Sequence, residues 1–302
     1  GKTRSDIGLT YEDDVLRLID EFENHKIRCR NVVITKYANQ PLATIFYQKL
    51  INLNINAYLH YPIEGYPHDT DFILSEKGFG KNEYVKTTHP IIVVTGPGPG
   101  SGKMATCLSQ LYHDNLNGIR AGYAKYETFP VWNLPLKHPV NLAYEAATSD
   151  LNDVNMIDYY HLENHGTSAV NYNRDMDVFP VLNKMFERIY GKSPYLSPTD
   201  MGVNMAGFAI INEDAAIEAS KQEIIRRYLD ACCMNKVGKF TQESVDKISR
   251  IMRELNISTD DRKVVNAALN KTEQSNSPSV AIEIKKGTII YGKKSELFTA
   301  SA

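Results

Sequence analysis

The segment Thr95-Gly96-Pro97-Gly98-Pro99-Gly100-Ser101-Gly102-Lys103 sets glycines on alternate positions and ends on a lysine. Glycine lets backbone N–H groups turn inward and approach an anion closely. The apolar run Ile91-Ile92-Val93-Val94 predicts a strand before it, and the spacing after Lys103 predicts a helix to about Leu116. A helix start adds unpaired N–H donors and the positive end of the macrodipole. Lys103 adds a full charge. The chemistry implied is phosphate binding, with Gly98, Gly100, Ser101, Gly102 and Lys103 as the binding residues.

The loop departs from a Walker A sequence in ways that bear on its use. Counting back from Gly102-Lys103 puts Pro97 where the first glycine should stand, and Met104 takes the place of the Mg²⁺-binding hydroxyl. The alternating glycines also fail the dinucleotide fingerprint GxGxxG. Phosphate is therefore expected more firmly than ATP or GTP. A nucleotide with Mg²⁺ is the cofactor the loop type suggests. The bland reading is a turn that only joins strand to helix, but turning needs no lysine at that junction.

Other residues have types suited to chemistry. Asp150, Asp153 and Asp158 cluster ahead of His161-Leu162-Glu163-Asn164-His165. Carboxylates near a phosphate loop hold Mg²⁺ or serve as a base, or simply cap helices and turns. Histidines four apart share a helical face, and with Asp158 one turn earlier they could chelate a metal. Gly166 follows His165 at once, and neither HExxH nor paired cysteines accompany them, so no metal site is assigned. Arg174, in Asn171-Tyr172-Asn173-Arg174-Asp175, could clamp an anionic substrate or pair with Asp175 or Asp177. Asp200 sits in a second small-residue loop, Ser197 to Gly207. Asp150, Asp153, Arg174 and Asp200 are the candidates for catalysis. Lys125, Glu127 and His138, in a proline-broken stretch, are individually weaker.

These residues need a scaffold. Thr10 with Glu12, Asp13 and Asp14 marks a helix start, Val32 to Thr35 and Ile55 to Tyr61 read as strands, and Pro41 opens a helix between them. Helix, strand, helix, strand is the rhythm of an α/β fold with a doubly wound, mainly parallel, three-layer sheet. Val178, Val181, Leu182, Met185, Phe186 and Ile189 form a helical stripe closed by Gly191. Phe208 to Ile211 is a candidate strand. Three further helical patterns follow, carried by Ile217, Ile224, Tyr228 and Cys232, by Val245, Ile248, Met252 and Leu255, and by Val264, Ala268 and Leu269. They suggest a small helical subdomain. Val280 to Tyr291 reads as a hairpin turning at Lys285-Lys286-Gly287. The expected division is 1–211 for the α/β domain, 212–275 for the helical subdomain and 276–302 for the hairpin.

The chain has 302 residues, 42% hydrophobic and 23% charged, with a net charge of −2. That is enough apolar mass for a core, and the near-neutral balance argues against a general nucleic-acid binder. Cys29, Cys107, Cys232 and Cys233 form no CxxC pair, which fits reduced thiols in the cytosol. No apolar run approaches the ~20 residues that span a bilayer. A cytoplasmic location is the expectation.

Long runs of this sequence resemble an uncharacterised bacterial family, domain of unknown function 1846. The likeness is carried by Thr95 to Thr106, Trp132 to Leu142, Asp150 to Asp158, Val170 to Asp175 and Ser197 to Gly207. The resemblance implies that the proline and Met104 of the loop are family features, which weakens an ordinary ATPase reading. It also implies a further strand before Gly1 and a smaller C-terminal α/β domain starting near Val280 and cut at Ala302. No reaction, and so no catalytic residue, comes with it.

Two functions remain open on these grounds. One is an enzyme acting on a phosphorylated metabolite or nucleotide, by phosphoryl transfer or hydrolysis. The other is a non-catalytic anion-binding or assembly protein whose loop is structural and whose helical segment meets a partner or a second copy.

Overall fold

The computed structural model describes residues 3–4, 7–126, 130–203 and 206–302. The chain folds into two compact units, Gly1–Glu127 with Ile157–Val203, and Thr128–Met156 with Asn204–Ala302. In chain order the elements are α1 (Tyr11–Asn24), β1 (Asn31–Ile34), α2 (Pro41–Asn52), β2 (Asn56–Leu59), α3 (Thr70–Ile73), α4 (Lys103–Leu116), β3 (Lys125–Tyr126), α5 (Pro139–Ala147), β4 (Asn155–Ile157), α6 (Tyr159–His165), β5 (Val170–Tyr172), α7 (Asn173–Tyr190), β6 (Gly202–Val203), α8 (Glu213–Lys236), α9 (Gln242–Glu254), α10 (Lys263–Ser275), β7 (Ser279–Glu283) and β8 (Ile289–Lys293). The fold class is α/β, and every sheet among the described residues is two-stranded.

In the first unit, the Thr10 side chain accepts from the Asp13 amide and caps α1, with Glu12, Asp13 and Asp14 set against the helix dipole. Pro41 occupies the first turn of α2, where its missing N–H costs nothing. That helix links β1 to β2, which pair in parallel from Asn31↔Asn56 to Ile34↔Leu59. Beneath them Ile19, Leu50 and Ile55 are buried together. A larger core joins α4 to α7 through Leu108, Leu111, Phe179, Leu182, Met185 and Phe186. Each such side chain contributes roughly 1.5–3 kcal/mol by leaving water. The stripe expected along α7 is the face that is buried, and Gly191 ends the helix in the left-handed conformation.

Two expected strands do not form. Ile91 to Val94 has no ladder partner among the described residues, and Ile91 and Val93 stay 81% and 82% exposed. A β-branched run becomes a strand only where a neighbour takes its backbone hydrogen bonds. Phe208 and Ile211 are likewise exposed, with a 3₁₀ turn at Ala206–Ala209 in place of a strand.

In the second unit, α5, α8 and α9 share a core built on Leu142, Ala146, Ile224, Ile225, Val245, Ile248 and Met252. The three helices read from the pattern are present, and α5 from the 128–156 segment packs with α8 and α9. Thr241 caps α9, and a capping box of Ser258 and Asp261 opens the turn before α10. Strands β7 and β8 pair antiparallel from Ser279↔Lys293 to Glu283↔Ile289, turning at Lys285–Gly287 as the sequence predicts. No helix of the described residues is long and apolar enough to cross a membrane.

Candidate functional site

The glycine-rich loop belongs to the first unit and runs directly into α4. Gly102 stands at the N-cap with φ +88°, and no side chain caps the helix start. The first helical backbone bond runs from the Thr106 amide to the Gly102 carbonyl at 2.9 Å. The amides of Met104 and Ala105 therefore precede the ladder, and among the described residues they have no protein acceptor. Three of the loop's carbonyls, by contrast, are occupied. Tyr11 Oη donates to Pro99 O at 2.9 Å, Thr35 Oγ1 to Ser101 O at 3.1 Å, and Lys103 Nζ to Gly98 O at 3.0 Å. The same ammonium lies 3.4 Å from Ser101 Oγ. Glycine is required at Gly102 by more than its positive φ. A Cβ there would stand 2.7 Å from Thr35 Cγ2.

A second constellation in the same unit forms where α6 meets the 3₁₀ turn Pro198–Met201. Asp158, fully buried, joins them: one carboxylate oxygen accepts from the His161 amide at 3.0 Å and caps α6. The other accepts from the Thr199 amide at 3.0 Å and from Thr199 Oγ1 at 2.6 Å. With the two elements pinned, Asp200 comes against both histidines. His165 Nε2 is 3.0 Å and His161 Nδ1 3.6 Å from Asp200 Oδ1. Gly166, left-handed, closes the helix directly after His165 by donating to Leu162 O. Burial works to raise the Asp200 carboxyl's pKa, but the His165 hydrogen bond and the Leu196 amide outweigh it and hold it below the usual value. The carboxylate is thus ionised near neutral pH. The sequence offered Asp158 as a companion of the histidines without assigning a metal site. In the structure Asp200 lies beside both histidines, and Asp158 is the pin between the two elements.

The third polar cluster surrounds Asp175, at the start of α7. Lys125 Nζ is ion-paired with Asp175 and 3.0 Å from Tyr172 Oη, with side-chain exposures of 13% for the lysine and 3% for the aspartate. The Arg174 guanidinium lies over the Tyr172 ring, 5.3 Å from its centroid. Burial, then the nearby Asp175 charge, push the Tyr66 hydroxyl up to about 12, against the opposing pull of Arg174. Backbone pairing of β3 with β6 places Lys125 opposite Gly202. A Cβ at Gly202 would fall 1.7 Å from Lys125 O, so only glycine permits that approach.

Sequence comparison identifies the family. Residues 1–256 match the family described as Domain of unknown function DUF1846, N-terminal, and residues 260–302 its C-terminal counterpart. The chain belongs to the DUF1846 family. It is 58% identical over 301 residues to UPF0371 proteins of Streptococcus pyogenes serotype M5 (strain Manfredo) and of Streptococcus pneumoniae (strain Hungary19A-6). All of this chain is covered in each comparison, and 61% of each relative. The chain therefore spans about three-fifths of the length of the curated relatives it matches.

Within this DUF1846 chain the residues singled out by sequence fall in several places. Gly98, Gly100, Ser101, Gly102 and Lys103 form one loop, as expected. Arg174 packs on Tyr172, and its neighbour Asp175 pairs with Lys125. Asp150 and Asp153 belong to the second unit. Asp150 is exposed in a 3₁₀ turn, whereas Asp153 is buried, its carbonyl accepting from Lys247 Nζ. Burial lowers the Lys247 pKa, opposed by the negative charges of Glu145 and Asp153. His138 caps α5 through Nδ1, and its Nε2 lies 2.6 Å from Glu213 Oε1. Glu127, Asn204 and Met205 lie outside the described residues. The Lys125–Asp175 pair joins positions 50 apart, and no spacing rule announces it. The only trace was a lysine in a proline-broken stretch.

Proposed function

We propose that the glycine-rich loop of this DUF1846 chain binds the phosphate group of a small metabolite or nucleotide. One observation carries the reading: the Gly98, Pro99 and Ser101 carbonyls are each taken by a side-chain donor, while the Met104 and Ala105 amides at the helix start lack protein acceptors among the described residues. An anion is the partner that such amides and a nearby ammonium select. The helix dipole adds to that preference. The recognised group is the phosphate itself, because Met104 supplies no hydroxyl for the Mg²⁺ that a Walker-type loop would coordinate.

The test is a thermal-shift screen of inorganic phosphate, pyrophosphate, sugar phosphates and nucleotides, followed by titration of any hit against Lys103→Ala. A ligand at 100 times its Kd should add about 2.7 kcal/mol of stability. Removing the ammonium should weaken binding about 10-fold or more. A flat screen, or equal affinity in the alanine variant, rejects the proposal.

A further inference from the structure

We propose that His161, His165 and Asp200 form a binding site for a divalent transition-metal ion of the zinc class. The site is separate from the glycine-rich loop and does not depend on that loop's function. Each residue offers one donor atom, and the donor atoms all lie within 4.8 Å of one another. From Asp200 Oδ1 the separations are 3.0 Å to His165 Nε2 and 3.6 Å to His161 Nδ1. A tetrahedral ion with bonds of about 2.0–2.1 Å needs donors about 3.3 Å apart, between those two values. Small side-chain adjustments therefore close a coordination shell.

The elements that carry the donors are pinned together. Asp158 fixes both the helix that carries the histidines and the turn that carries Asp200. Ser197 Oγ caps the Asp200 amide at 3.2 Å and lies 3.0 Å from His161 Nδ1, which it releases when that nitrogen takes the ion. The Leu196 amide donates to Asp200 Oδ2 at 2.9 Å and fixes the carboxylate, whose Oδ2 is also 3.1 Å from His165 Nε2 while Oδ1 faces both rings. The two imidazoles sit side by side, with ring centroids 4.5 Å apart.

Composition and access set the kind of ion and its use. Two imidazole nitrogens and one carboxylate favour zinc, cobalt, nickel or iron(II) over magnesium or calcium, which take oxygen shells. Three protein ligands leave a coordination position for water or a substrate oxygen, unlike a closed structural site. The side chains keep 16%, 35% and 22% of their exposure for His161, His165 and Asp200, so an ion can enter.

The experiment uses the whole chain without an affinity tag, stripped with chelator and titrated with Zn²⁺ by calorimetry and with Co²⁺ by visible absorption. The expected result is one ion per chain, a cobalt spectrum of low-symmetry nitrogen and oxygen coordination, and no comparable binding of Mg²⁺. His161→Ala and His165→Ala should each weaken Zn²⁺ binding at least ~10-fold, while His25→Ala, at a histidine outside the cluster, should leave it unchanged. His165 ends α6 and is partly exposed, so its variant keeps the test decisive should His161→Ala fold poorly. Absence of saturable Zn²⁺ binding, or undiminished binding in a folded His165→Ala, overturns the proposal.

Discussion

Replacing Asp158 by alanine removes the group that holds α6 to the turn before β6. Its carboxylate accepts three hydrogen bonds and is fully buried, and Thr199, which supplies two of them, is 3% exposed. Loss of the helix cap costs about 1 kcal/mol. Each buried Thr199 donor left unpaired adds about 1–3 kcal/mol. The expected destabilisation is about 3–7 kcal/mol, a large effect for one residue. The chain has two compact units, so a single melting temperature would mix them. Hydrogen exchange read on peptides covering 158–165 and 196–201 isolates the affected region. Protection there should fall by the stated free energy, while peptides from α8 and α9 stay unchanged. A loss below about 0.5 kcal/mol in both peptides would mean that the Asp158 contacts do not hold these elements together, and the positioning argument for His161, His165 and Asp200 would fail with them.

Other consequences follow from single features of the structure. Gly102→Ala combines a positive φ with a Cβ 2.7 Å from Thr35, and denaturant unfolding of the first unit should show a loss of about 2–4 kcal/mol. Burial tends to raise the Asp14 pKa, but hydrogen bonds from Arg4 and Arg17 outweigh it and hold the group below the usual carboxylate value. Its stabilisation is present above the unfolded pKa of about 3.9 and is lost as pH falls through the lower folded value. Asp14→Asn should therefore cost stability at pH 7, by a margin that shrinks below about pH 4; a margin constant down to pH 2 refutes the linkage. Thiol labelling should begin at the exposed Cys233, with Cys107 much slower because burial pushes its thiol to about 11. Labelling of Cys107 first would contradict the packing of α4.

Much of the fold is written in local pattern. α4 begins at Lys103 and ends at Leu116 where spacing placed it, and Gly191 ends α7. Capping and periodicity act over a few residues, so a single sequence displays them. Ile91 to Val94 failed for the complementary reason. Its apolar run was legible, but strand formation depends on a neighbour that no local pattern specifies. The compact units were hidden in the same way: the 128–156 segment joins α8 and α9 through Leu142 and Ala146, far away in sequence. The glycine loop was visible because its residues are contiguous. Asp200 was noticed, yet not its place beside His161 and His165, which requires the Asp158–Thr199 link across 41 positions.

The central claim concerns the amides where the glycine loop becomes α4. The most direct measurement is the amide NMR spectrum of the whole chain titrated with pyrophosphate. Saturable shifts confined to residues 100–105, weakened in Lys103→Ala, are the predicted result. Shifts elsewhere only, or none at these amides up to about 50 mM ligand (a Kd weaker than about −1.8 kcal/mol), would contradict it.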